Sequence, residues 1–219
     1  MTEVDPDALA EAVQALRLGG VVVYPTETFY GIGADATSEA AVGRVAALKG
    51  RDGGKPILVI VASRDMISQV AVGIPSTGER LMERFWPGPL TLVVRARNGI
   101  PMHLTGGGHG IGVRLSSHAV ARALSEALGG PITATSANRG GEPPATDVRR
   151  ARAVFGAEAD FYLDGGRSPG GLPSTVVDLT GSRPRIVREG AISASAIERA
   201  GVRLESDGIP SDKPSRASS

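Results

Sequence analysis

Short apolar runs alternate with apolar stripes at helical spacing along most of this chain. That alternation restricts it to an α/β fold, a sheet with helices packed on its faces. Val21 to Tyr24, Pro56 to Val61, Leu90 to Arg95, Ile111 to Leu115, Pro131 to Thr135, Asp160 to Leu163, Ser174 to Leu179 and Ile186 to Glu189 read as strands. Asp5 before Pro6 marks a helix start, the stripe Leu9, Ala12, Val13 and Leu16 gives its buried face, and Gly19-Gly20 supplies the stop. Ser38 caps a second helix with Ala41, Val42, Val45 and Leu48 inward, ended by Gly50. Ser76 and Glu79 form a capping box for a helix running to Trp86, which Pro87-Gly88-Pro89 breaks. Helices are also predicted after Ser117, Thr146 and Ser193.

Thr180-Gly181-Ser182-Arg183-Pro184 leaves too little chain for a crossover helix between its flanking strands, so a hairpin is expected there. The fold class is therefore a single-domain twisted mixed sheet, parallel and antiparallel, flanked by helices. The 219 residues, 41% of them apolar, suffice for one substantial core. Residues 1–204 are read as that domain. From Glu205 the chain turns to Ser, Pro, Asp and Lys without periodicity, and 205–219 is expected to be a disordered tail. There is no cysteine, no signal-peptide pattern and no apolar run of membrane-spanning length, so a cytoplasmic protein without membrane association is expected. A formal charge of +1 argues against a protein whose main work is gripping a nucleic-acid backbone. Arg149, Arg150 and Arg152 read as a solvated basic face.

Polar residues cluster where regular elements end. Tyr24-Pro25-Thr26-Glu27-Thr28-Phe29-Tyr30-Gly31-Ile32-Gly33 leaves a buried strand, the place where open α/β sheets bind ligands. Lys49 and Arg51 end a helix, where cations also serve as plain caps. Lys55 adds a third cation before the next strand, and three cations at one rim repel unless an anion joins them. The loop lacks the spacing and the hydroxyl residue of a Walker A motif. Gly31-Ile32-Gly33-Ala34-Asp35-Ala36 imitates a dinucleotide fingerprint only weakly and serves equally well as a tight turn. Gly106-Gly107-Gly108-His109-Gly110 is either a surface loop or backbone that approaches a phosphate closely. Arg114 sits inside an apolar strand and needs an internal acid or a ligand carboxylate. Ser136 and Asn138 follow a strand as turn formers do, Ser174-Thr175 opens one, and Arg188 carries a cation into another. His103, His109 and His118 have no metal-ligand spacing, and no metal-binding residues are assigned.

Tyr24-Pro25-Thr26-Glu27-Thr28 with Tyr30 to Gly33, Lys49-x-Arg51, Lys55-Pro56, Trp86-Pro87-Gly88-Pro89-Leu90-Thr91, Gly112-Val113-Arg114, Thr135 to Asn138 and Ser174 to Asp178 resemble the YrdC-type threonylcarbamoyl-AMP synthases. The resemblance covers roughly residues 8 to 192 in order. The chain beyond residue 192 does not resemble the extra C-terminal domain of longer members, so the short, single-domain form is expected. The resemblance implies condensation of L-threonine, bicarbonate or CO2, and ATP to threonylcarbamoyl-AMP and pyrophosphate, with a downstream transferase complex modifying tRNA. It implies a functional tetrad of Lys49, Arg51, Ser136 and Asn138. Arg51, Lys55, Gly110, Ser136, Asn138, Pro144 and Arg188 would meet ATP, with Pro144 offering its carbonyl where some relatives have a serine. Thr28, Arg114, Ala134 and Ser174 would meet threonine. It also implies Mg2+ held mainly by ATP phosphates, and weak tRNA binding is an open expectation. Asp52 and Phe29 depart from the usual residues at their places without removing a ligand, and Ile60 stands where longer members often carry a histidine near the amino acid and short members an aliphatic residue. Two other readings stay open: a non-catalytic module binding tRNA or double-stranded RNA, and a carbamoyl-adenylate-forming enzyme of the same fold.

Overall fold

The computed structural model describes residues 5–50 and 55–205. Its strands are β1 (Val22–Tyr24), β2 (Gly31–Gly33), β3 (Leu58–Val61), β4 (Leu90–Arg95), β5 (Gly110–Leu115), β6 (Ile132–Ser136), β7 (Phe161–Tyr162), β8 (Thr175–Asp178) and β9 (Arg185–Arg188). Among the described residues they form one 9-stranded sheet in the order β7-β1-β2-β6-β3-β5-β4-β8-β9. The pairs β1·β7, β3·β5 and β4·β8 are parallel and the others antiparallel, so the sheet is mixed as expected.

The helices are α1 (Pro6–Arg17), α2 (Glu39–Leu48), α3 (Ser76–Phe85), α4 (Met102–Thr105), α5 (Ala119–Leu128), α6 (Val148–Phe155) and α7 (Ala194–Arg199). Asp5 caps α1 through the Asp7 amide, and Ser38 caps α2 through that of Ala41. Strand alternation sorts the core onto two faces. Val22, Tyr24, Ile60 and Ile132 pack with Ala12, Val13 and Leu16 of α1 and Val120, Ala121 and Leu124 of α5. Val23, Ile32, Val59 and Val61 point the other way, into the larger core with α2, Leu81 and Phe155. Each such fully buried aliphatic side chain contributes about 1.5–3 kcal/mol.

Some expectations need correction. Pro75 is the N-cap of α3 and Ser76 is already helical, so the predicted capping box does not form and no side chain caps this helix. The Pro75 carbonyl accepts from Glu79 N instead. Gly31–Gly33 is strand β2, paired antiparallel with β1, rather than a tight turn. The Tyr24 ring accounts for the glycines in that strand: a Cβ on Gly33 would lie 2.6 Å from Tyr24 Cε1, and one on Gly31 3.3 Å from Cζ. Asp147 caps α6, and α4 was not expected. Residues 51–54 and 206–219 lie outside the described residues, and with them Arg51, Asp52 and most of the expected tail. Glu205 itself donates its amide to the Pro184 carbonyl.

Candidate active site

The end of α2 and the exit of β6 meet through one side chain. Lys49 is the C-cap of α2, followed by Gly50 at φ +59°. Its ammonium, on a residue only 8% exposed, donates to the Ser136 carbonyl at 2.7 Å, to Asn138 Oδ1 at 2.8 Å and to the Asn138 carbonyl. Ser136 Oγ donates to the same Asn138 Oδ1 at 2.6 Å. Asn138 Nδ2 donates to the Arg139 and Glu142 carbonyls, which orients the amide. Lys49, Ser136 and Asn138, separated in sequence, therefore form one cationic corner. Arg51 lies outside the described residues.

Register brings other expected residues to that corner. Leu58 of β3 opposes Ala134 of β6, and Val59 pairs with Val113 of β5. The Lys55-Pro56 entry to β3 and the Gly110 start of β5 thus lie at the Ser136 end of the sheet. Gly110 and Gly112 present no side chain, and a Cβ on either would lie 2.7 Å from Val93 Cγ1 or 2.3 Å from Leu58 Cδ2. The glycines are thus required by the close packing of Val93 and Leu58 against β5. Half-buried Pro144 precedes Ala145, whose amide bonds the Ala137 carbonyl, so it flanks the Ser136–Asn138 turn.

A second polar group lies along the same sheet. Arg114 is 7% exposed, and its Nη1 is 3.6 Å from Glu27 Oε1. The internal acid that a strand arginine demands is thus present. Glu27 Oε2 accepts from Ser116 Oγ, while Oε1 is buried and has no hydrogen bond among the described residues. Sequence reasoning missed Glu27 as a partner, although it is the acid leaving β1 between two threonines. Thr28 is buried beside Thr26, their hydroxyls 3.2 Å apart, and its carbonyl accepts from Gly170 N. Tyr30 secures the neighbouring segment by donating to the Gly166 carbonyl, and burial pushes its phenol up to about 12. At the other side Arg188 donates to the Ser174 carbonyl and to Ser174 Oγ. Partial burial, reinforced by the nearby Arg114 charge, lowers the Arg188 pKa. Two guanidinium groups close enough to repel mark a place suited to an anion.

The class these observations define is a mixed-sheet α/β protein with a cationic site assembled at strand ends. The Sua5, yciO and yrdC family model, described as Telomere recombination, matches residues 14–190, and the chain belongs to that family. It is 39% identical over 184 residues to the threonylcarbamoyl-AMP synthase of Pyrococcus abyssi, covering 84% of this chain and 54% of that one. It is 40% identical over 190 residues to a putative threonylcarbamoyl-AMP synthase of Mycobacterium tuberculosis, covering 86% and 87%. The chain thus spans about half the length of the archaeal relative and most of the mycobacterial one. The crystal structure of P. abyssi Sua5 complexed with L-threonine superposes with a TM-score of 0.85 at 37% identity, covering 90% of this chain and 58% of that one.

Proposed function

We propose that this chain is an L-threonylcarbamoyladenylate synthase, joining L-threonine, bicarbonate or CO2, and ATP with release of pyrophosphate. The observation that carries this reading is the Lys49 ammonium seated on Ser136 and Asn138, on the same sheet as the buried Arg114–Glu27 pair. The names of the relatives support it. Arg114 takes the threonine carboxylate, with Thr28, Ala134 and Ser174 around the rest of the amino acid. Arg51, Lys55 and Arg188 neutralise the triphosphate, while the Gly110 backbone and the Pro144 carbonyl border the nucleotide. Lys49 acts mainly by fixing the Ser136–Asn138 turn, since that turn takes its ammonium hydrogens. Positioning and charge neutralisation supply most of the catalysis in transfers at phosphorus.

Mg2+ fits this reading as an ion carried by ATP. Among the described residues no group of three or more His, Cys, Asp or Glu can hold a metal, so phosphates and water would be its donors. No helix among the described residues is long and apolar enough to cross a membrane. We place the reaction in the cytoplasm, with a tRNA threonylcarbamoyl transferase consuming the product.

The test is pyrophosphate release from ATP and bicarbonate with threonine, serine or no amino acid. Release that depends on threonine is the expected result. Release with carbamoyl phosphate and no amino acid would favour carbamoyl-adenylate formation. Salt-sensitive tRNA binding with no pyrophosphate release would favour a binding module.

A further inference from the structure

Ser174 and Thr91 form a hydroxyl pair whose hydrogens have one consistent arrangement. Their oxygens are 3.0 Å apart, and Arg188 Nη2 donates to Ser174 Oγ at 3.1 Å. Thr91 is 0% exposed, and among the described residues its hydroxyl has no other partner. Whichever hydroxyl donates, the other's hydrogen is left over; on fully enclosed Thr91 it could meet nothing, whereas on Ser174, 3% exposed, it can meet a ligand, so Thr91 donates and Ser174 accepts. Arginine has donors only. Ser174 Oγ therefore receives two hydrogens, both its lone pairs are filled, and its own hydrogen must point out of the pair.

The adjacent Thr175 shows the contrast. Its hydroxyl donates to the Ile192 carbonyl and accepts from Gly190 N and Ile192 N, a closed set. Ser174 keeps an outward donor, and its residue retains 3% exposure where Thr91 has none. The donor lies on the Arg114 side of the sheet: Gly112, two residues before Arg114, would place a Cβ 3.3 Å from Thr91 Cγ2.

We propose that Thr91 is a positioning residue that fixes Ser174 as a hydrogen-bond donor toward an oxygen of the amino-acid substrate. This rests on the synthase reading above and extends it to a residue that need not touch substrate. Thr91→Val keeps the shape and removes the hydroxyl, whereas Thr91→Ser keeps it. For Thr91→Val the KM for threonine rises roughly five- to tenfold, the loss of one oriented hydrogen bond. Its kcat and its KM for ATP stay within about twofold of the unaltered protein, its Tm falls by about 2–4 °C, as for one buried hydrogen bond, and Thr91→Ser restores the KM for threonine.

An unchanged KM for threonine, a parallel fall in kcat and rise in the KM for ATP, or a serine variant no better than the valine one overturns the proposal. If Thr91→Val does not fold, Thr91→Cys decides on the same measurement: an intermediate KM supports the proposal and an unaltered one overturns it. Calorimetric titration with L-threonine makes the comparison without turnover. Unaltered protein that binds threonine but releases no pyrophosphate refutes the synthase reading, and the titrations then decide on Thr91 alone. Unaltered protein that binds no threonine overturns both.

Discussion

Lys49 combines two roles, because its backbone amide closes α2 while its ammonium holds the turn after β6. Lys49→Ala leaves the Ser136 and Asn138 carbonyls without that donor at a nearly buried position. The expected cost is about 2 kcal/mol, lowering Tm by roughly 4–8 °C. Pyrophosphate release should fall further, by roughly 100-fold, because the tetrad loses its geometry along with a charge. A calorimetric scan and the release assay on one preparation separate the two effects. Glu27 presents the complementary case. Glu27→Gln keeps a group for Ser116 and removes the counter-charge of Arg114, and both side chains are nearly buried, at 12% and 9%. Breaking such a pair costs about 3 kcal/mol. Urea unfolding should show this loss, and added threonine should recover part of it by supplying Arg114 with a carboxylate; a deficit indifferent to threonine would separate Arg114 from the substrate.

Strand β2 is the element in which side-chain economy decides architecture. Gly33→Ala should destabilise by about 1–3 kcal/mol, because the new methyl meets the Tyr24 ring in a packed core. Tyr24→Leu in the same chain should remove the clash, so the two losses will not add in a double-mutant cycle. Additive losses would show that Gly33 is needed for another reason. The same strand explains what the sequence hides. β3, β4 and β5 were legible because burial imposes apolar runs, and α1 and α2 because their caps and stripes are local. Gly31-Ile32-Gly33 has too few side chains to display a period, so its pairing with Tyr24 could not be read. Ser76 misled because Ser-x-x-Glu makes a capping box only where the serine is the N-cap, and Pro75 takes that place here. The convergence of Lys49 with Asn138 was legible as paired motifs at element ends. The Glu27–Arg114 and Thr91–Ser174 contacts depend on strand order and register, which local pattern does not encode.

Two cores on opposite faces of one sheet should make the described fold unfold as a unit, and its acid sensitivity then has a traceable source. His118, the N-cap residue of α5, has a buried Nδ1 that meets no hydrogen-bond partner among the described residues, and its own amide donates to Ser116 Oγ. Burial lowers its pKa, with Arg122 adding to the effect and Glu27 opposing it. The unfolded chain therefore binds the proton more readily than the folded one. Stability conferred by neutral His118 is complete above the ordinary value of 6.5 and is lost as pH falls from there toward the lowered folded value. The urea midpoint should accordingly drop between pH 7.5 and pH 5.5, and His118→Gln, which cannot titrate, should flatten that drop. A profile unchanged by His118→Gln would mean that the acid sensitivity arises elsewhere and that the α5 entrance tolerates a charged imidazole.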